Sequence, residues 1–204
     1  AESPFVGNAQ FAALKEHFNA PCTEIDCTFA SGPGALREGL AREVRGILKR
    51  EGITAMLVTH DQYEAFAMAD EIGVMDGGFL QQWDTGYRLY HEPANRFVAS
   101  FLGSPSMNFL EKSVPDLASG QTLGIRPEHL NLSDSGQIKG RVTHVERLGG
   151  DTNLLVSTDA GETLTVRLFG QDPTEVGADV ILGFNPDNAF FFNDSEERVY
   201  KAAA

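Results

Sequence analysis

A short apolar segment, residues 53–58, constrains the fold of this chain more than any other feature. It is too short for a helix, and its apolar and β-branched residues are typical of a buried parallel strand. The segment leads to His60, and Asp61 follows in the position of a helix N-cap. The pattern therefore predicts a strand whose carboxyl end runs directly into a helix, as in an open α/β sheet.

The segments on either side fit the same α/β pattern. Apolar residues recur at helical spacing before the strand, in a segment that Gly52 would end: Leu36, Leu40, Val44, Ile47 and Leu48. After the strand, the sequence predicts a helix over residues 62–69 and a strand over 72–75. A tight turn at 76–78 and a returning strand over 79–83 follow.

His60 lies where ligands bind in an open α/β sheet, at the carboxyl end of a strand. An imidazole in that position can hydrogen-bond an anion and respond to its charge. A capping or packing role is the alternative, and the position alone favours it. The residues around His60 decide between the two interpretations.

Those residues resemble the switch-histidine region of ATP-binding cassette (ABC) transporter ATPases. The resemblance lies in LVTHDQYEA at 57–65, in ADEIGVM at 69–75, and in Gly78 and Gln82. The run LYHEPANRFVASFLGSPSMNFL at 89–110 is similar to importers of the maltose and glycerol-3-phosphate type. GIRPEHL at 124–130 resembles part of their C-terminal regulatory domain. The resemblance covers residues 36 to about 193.

The implied fold is a partial α/β ABC ATPase domain followed by an all-β barrel of the oligonucleotide/oligosaccharide-binding type. Residues 36–103 would be the C-terminal half of the ATPase domain, and residues 104–197 the regulatory barrel. Alternation with period two, as at Leu164, Val166 and Leu168, predicts short strands in the second part. Residues 1–35 are unassigned, and a degenerate ATPase segment is one interpretation of them.

The resemblance also implies a nucleotide site. In the family, two ATPase subunits sandwich ATP and Mg²⁺, and the switch histidine, here His60, contacts the γ-phosphate. Counting back from residues 36–38 places Asp26 at the Mg²⁺-holding aspartate and Cys27 at the catalytic glutamate. A cysteine cannot orient or deprotonate water as a carboxylate does. Alternatively, residues 1–35 are unrelated sequence with an aspartate in register by chance.

Two departures from the family bear on activity. No G-x-x-x-x-G-K-[ST] loop, which cradles the β- and γ-phosphates, occurs in these 204 residues. We therefore expect this chain alone to bind ATP weakly or not at all, and whether it is an enzyme stays open. The connection at 111–123 is also shorter than in the family, so either the barrel lacks strands or residues are omitted. A non-enzymatic regulatory or dimerisation module is the alternative function.

The composition limits which partners the chain can bind. The net charge of −13 argues against binding nucleic acid and anionic lipid. No apolar run reaches the roughly 20 residues of a membrane span. Cys22 and Cys27 could pair, but two cysteines do not make a disulfide scaffold. A zinc site would need two more ligands at suitable spacing, and the sequence offers none. We expect a cytoplasmic protein, peripheral on the inner face of the cell membrane without direct insertion. The resemblance implies a homodimer bound to permease subunits. Sugars, polyols and glycerol phosphate fit it best as solutes, and ferric iron and polyamines stay open.

Polar residues in the second part predict structural roles. Arg126 and Glu128 flank Pro127 and are expected to pair across the turn, with His129 half-buried beside them. His144 and Glu146 point to the same side of a strand. They are one ligand short of a metal site, so a solvated face is expected there.

Overall fold

The computed structural model describes residues 23–24, 34–115 and 117–200. The chain divides into two compact units after Glu92. Asp26 and Cys27 lie outside the described residues. Within the described ranges, no helix is both long and apolar enough to cross a membrane.

The first unit begins with the predicted amphipathic helix. Helix α1 spans Gly34–Glu51. Gly52 follows with a φ of +64°, and the Ile53 N–H donates to the Leu48 carbonyl over 2.9 Å. A left-handed residue at this position satisfies the last helical carbonyls, and glycine adopts it without a Cβ clash. The predicted glycine stop is confirmed.

The strand after α1 is shorter and more exposed than its sequence predicts. Strand β1 (Thr23–Glu24) pairs in parallel with strand β2 (Ala55–Met56). The parallel pairing is confirmed, but the predicted burial is wrong, since Val58 is 69% exposed. A parallel strand is buried only when neighbours pair on both edges and other layers cover both faces. Within the described residues, β2 pairs with β1 alone.

A helix and a hairpin complete the predicted pattern of the first unit. Helix α2 (Gln62–Met68) is followed by strands β3 (Ile72–Asp76) and β4 (Phe79–Asp84), which pair antiparallel. Gly77 and Gly78, both with positive φ, form the tight turn between them. Helix α3 (Gly86–His91) then begins at its N-cap Thr85.

The second unit is mostly antiparallel sheet. It opens with helix α4 (Arg96–Phe101), whose N-cap Asn95 accepts a hydrogen bond from the Val98 N–H. The strands are β5 (Asn108–Leu110), β6 (Thr122–Ile125), β7 (Leu130–Leu132), β8 (Ile138–Arg147), β9 (Asp151–Thr158), β10 (Thr163–Phe169), β11 (Asp179–Phe184), β12 (Phe190–Phe192) and β13 (Arg198–Val199). Short 3₁₀ turns occupy Pro127–His129 and Pro186–Asn188.

These strands form two sheets, and their apolar side chains pack in one large buried cluster and one smaller cluster that includes Met107, Phe190 and Phe192. The order in the first sheet is β10-β9-β8-β11-β7, and in the second β13-β12-β6-β5. Strands β7 and β10, the two edges of the larger sheet, approach each other, so that sheet curls toward closure. Alternate residues such as Leu154, Val156 and Leu164 are fully buried between the strands. The predicted period-two pattern and its hairpins at 148–152 and 160–162 are confirmed.

Candidate functional site

Of the predicted site residues, His60 lies within the described part of the chain. It lies exposed in the bend between β2 and α2. Asp61 caps α2, because its Oδ1 accepts from the N–H groups of Tyr63 (2.8 Å) and Glu64 (3.4 Å). The Thr59 hydroxyl accepts from the Asp61 N–H and donates to Glu64 Oε2 over 2.7 Å. These bonds fix the backbone on both sides of His60.

The other end of α2 is held by the long helix α1. Arg45 donates through Nη1 to the carbonyls of Met68 (2.8 Å) and Ala69 (3.0 Å), and through Nη2 to Asp70. A cation at these carbonyls complements the negative end of the helix dipole. Lys49 also hydrogen-bonds Asp70, and this bond lowers the pKa of the Asp70 carboxyl. Helix α2 is therefore fixed at both ends, which positions the His60 bend.

The His60 imidazole is exposed in this bend. Asp26 and Cys27 lie outside the described residues, so their predicted roles stay predictions. In the part of the chain that is described, no group of three or more His, Cys, Asp and Glu residues gathers to hold a metal ion.

Arg126 has a role that the sequence did not predict. Its side chain is 1% exposed, and Nη1 donates to the carbonyls of Leu102 (2.6 Å) and Ala99 (3.4 Å). These carbonyls end α4, so Arg126 caps that helix from the barrel. His129 is half-buried, as predicted.

An apolar groove of about 320 Å³ opens on the second unit. Its lining includes Val114 and Leu117 of the short connection after β5, together with Leu123, Phe184 and Phe191. The sequence singled out this connection as shorter than in similar proteins. The groove therefore lies beside the segment where the chain departs from them.

The second unit belongs to a recognised domain class. The TOBE domain family matches residues 123–192, which run from β6 to β12. The curled antiparallel sheet found there fits the barrel of the oligonucleotide/oligosaccharide-binding type that the sequence predicts. The second unit thus contains a TOBE domain.

Curated relatives extend the match into the first unit. The sn-glycerol-3-phosphate import ATP-binding protein UgpC of Ruegeria pomeroyi is 34% identical over 186 residues, covering 83% of this chain and 50% of that protein. UgpC of Chromohalobacter salexigens is 36% identical over 206 residues, covering 89% and 54%. The maltose/maltodextrin import ATP-binding protein MalK of Vibrio vulnificus is 38% identical over 166 residues, covering 68% and 45%.

The chain is homologous to ATP-binding subunits of ABC importers of the maltose and glycerol-3-phosphate type. It spans about half the length of the curated relatives that it matches. The resemblance noted from the sequence is confirmed.

Proposed function

We propose that this chain is part of the ATP-hydrolysing, energy-coupling subunit of an ABC importer for a carbohydrate, a polyol or glycerol phosphate. The relationship to glycerol-3-phosphate and maltose import proteins carries the proposal, because it covers most of the chain and both compact units. Residues 36–103 would be the C-terminal half of the ATPase domain, and residues 104–197 the regulatory domain.

His60 would contact the γ-phosphate and respond to its loss. Its exposure, and the fixing of α2 by Asp61 and Arg45, support this role, since a switch residue needs access to the ligand and a fixed backbone. ATP and Mg²⁺ would be the ligands of the whole subunit. Asp26 would hold Mg²⁺ through water, and Cys27 would stand where the catalytic glutamate stands in the family.

The proposed assembly is a homodimer bound to membrane-embedded permease subunits on the inner face of the cell membrane. In such an assembly the permease crosses the bilayer and the ATP-binding subunits stay peripheral to it. The acidic balance of the chain supports contact with protein rather than with anionic lipid.

A regulatory or dimerisation module without enzymatic activity is the second candidate. The lack of a phosphate-binding loop in the sequence favours it. The compact core of the second unit also favours it, since all residues of the large buried apolar cluster belong to that unit. Such a module would act by binding alone.

The intact mass of the polypeptide in its natural source separates the two candidates. A mass well above 22.1 kDa would support the ATPase subunit, and the phosphate-binding loop should then occur in the additional sequence. A mass of 22.1 kDa would contradict it in favour of the module. Titration of this chain with Mg-ATP complements the mass: we expect no saturable binding at micromolar concentrations, and a micromolar Kd would contradict the proposed loss of nucleotide binding.

A further inference from the structure

The outer face of β8 carries two side chains that could bind a metal ion together. His144 and Glu146 lie on the same side of the strand, with 3.9 Å between the His144 Nε2 and Glu146 Oε1 atoms. A register shift between Val142 and His144 precedes the pair. Both side chains are about half exposed, so an ion from solvent can reach them.

A third polar side chain lies beside them on the neighbouring strand. Asn153 of β9 is directly opposite Glu146 in the antiparallel register, and it is only 6% exposed. Its Nδ2 donates a long hydrogen bond of 3.4 Å to Glu146 Oε2. Its Oδ1 is buried and has no hydrogen-bond partner in the structure. A buried amide oxygen without a donor is destabilising unless water or an ion satisfies it.

We propose that His144, Glu146 and Asn153 form a binding site for a divalent first-row transition-metal ion. The donors would be the His144 Nε2 atom, the Glu146 carboxylate and the Asn153 Oδ1 atom, with water in the remaining positions. Imidazole nitrogen with carboxylate and amide oxygen suits Zn²⁺, Ni²⁺ or Cu²⁺ better than Mg²⁺, which prefers oxygen alone.

The geometry needs only small side-chain changes. Rotation about the Cβ–Cγ bond of Asn153 brings Oδ1 to the side of Glu146, where Nδ2 now makes its 3.4 Å bond. The ion would thus replace a long hydrogen bond to the Glu146 carboxylate. Donor atoms bound to one such ion lie about 3–4 Å apart, because each metal–ligand bond is about 2.0–2.2 Å. The present 3.9 Å between His144 and Glu146 is within that range.

The surrounding charges permit a cation. Arg167 is opposite Asn153 on β10, but its guanidinium is bound to the Asp151 carboxylate, with Nε donating over 3.0 Å. That pair leaves little net positive charge next to the site. The net charge of −13 on the chain also favours binding of a cation. A bound ion would link β8 to β9 through side chains, and it would stabilise the folded TOBE domain by mass action.

The test is a calorimetric titration of the full chain with ZnCl₂ in a buffer that does not chelate metals. Other histidines and both cysteines can also bind zinc, so the comparison between variants is decisive. We expect the titrations of His144→Ala and of Glu146→Gln each to show one zinc site fewer than the wild type, or to show that site with a Kd at least about tenfold higher. Asn153→Asp, which adds a carboxylate at the same place, should bind more tightly. Glu175→Gln, at an exposed glutamate in a loop of the same unit, is the matched control and should titrate as the wild type does.

Thermal melting without metal checks that the variants fold. His144 and Glu146 are exposed enough that their substitution should leave the metal-free Tm unchanged. Zinc should then raise the Tm of the wild type and not that of Glu146→Gln. Identical titrations of wild type and Glu146→Gln would overturn the proposal, because zinc would then bind elsewhere. Absence of zinc binding by the wild type would overturn it as well, leaving water as the partner of Asn153 Oδ1.

Discussion

The side chain of Asn108 takes the place of a missing strand at the edge of β10. Its Nδ2 donates to the Thr165 carbonyl over 2.8 Å, and its Oδ1 accepts from the Thr165 N–H over 2.7 Å. A primary amide presents one donor and one acceptor side by side, as a backbone peptide group does. The N–H and carbonyl groups of Thr165, on an edge strand, are thereby satisfied, and Asn108 is itself only 7% exposed.

Asn108→Asp should destabilise the TOBE domain. The carboxylate keeps an acceptor for the Thr165 N–H, but it has no donor for the Thr165 carbonyl and places negative charge against it. We expect a loss of about 1–3 kcal/mol in the free energy of unfolding, measured by urea denaturation of the second unit. Asn131→Asp, at an exposed position of β7, is the control and should change little. Equal effects of the two substitutions would contradict the proposed role.

A carboxylate stabilises the connection after β5 in a comparable way. Glu162 accepts hydrogen bonds from the backbone N–H groups of Glu111 (2.7 Å), Lys112 (3.0 Å) and Ser113 (2.9 Å). Burial acts to raise the pKa of Glu162, but hydrogen bonds from Ser113 and from these three N–H groups outweigh it and lower the pKa. The ionised form is therefore the one that stabilises the fold.

The stabilisation by Glu162 should depend on pH. A lowered folded-state pKa contributes stability that is complete above the unfolded value of about 4.3 and is lost as the pH falls through the folded value. Glu162→Gln replaces one acceptor oxygen by an NH₂ group that faces N–H donors. We expect it to cost about 1.5–3 kcal/mol at pH 7. The difference from wild type should shrink in urea titrations below pH 4, and a difference independent of pH would exclude the charge as its source.

At the scale of whole elements, the sequence predicted those helix ends and turns that depend only on residues close together in the chain. The glycine stop of α1, the Asp61 cap of α2 and the Gly77–Gly78 turn depend on backbone preferences within a few residues, so each could be predicted. The exposure of β2 could not be predicted, because burial of a strand depends on which distant segments cover it.

Contacts between distant segments were missed for the same reason. Asn108 bonds a residue 57 positions away, and Arg126 reaches carbonyls 24 and 27 positions away. Their residue types alone do not indicate these partners, since an asparagine and an arginine are most often exposed. For the candidate site, His60 could be found from the strand–helix pattern and the resemblance. Asn153 could not, because only the register of β8 with β9 places it beside Glu146.

Arg126→Met should loosen helix α4. The substitution keeps most of the side-chain volume but leaves the carbonyls of Ala99 and Leu102 without the guanidinium donor. We expect hydrogen exchange at residues 99–102 to accelerate by about 10- to 100-fold, since each 1.4 kcal/mol of lost local stability is a factor of ten. Arg141→Met, which removes an exposed arginine paired with Asp179, is the control. Unchanged exchange in α4 would show that Arg126 does not stabilise it.

At the scale of the whole molecule, the two units differ in how much apolar surface they bury. In the TOBE domain, eleven apolar residues form one buried cluster. Among the described residues of the first unit, the buried apolar side chains are those of Ala41, Val74 and Leu89. Large apolar side chains in that unit are instead exposed: Ile53, Val58, Tyr63, Phe79, Leu80 and Tyr87. The described part of the first unit therefore buries less apolar surface than the second unit does.

The first unit should therefore unfold before the second. Burial of apolar area is the dominant favourable term in folding, so the unit that buries less of it has the lower free energy of unfolding. We expect limited proteolysis of this chain to cleave first on the amino-terminal side of Glu92, leaving a resistant fragment that contains residues 107–192. Arg126→Met should leave the core of that fragment resistant, whereas Asn108→Asp should make the fragment itself more sensitive. Equal resistance of both units would contradict the expected order, and would mean that the exposed apolar residues of the first unit are covered in solution.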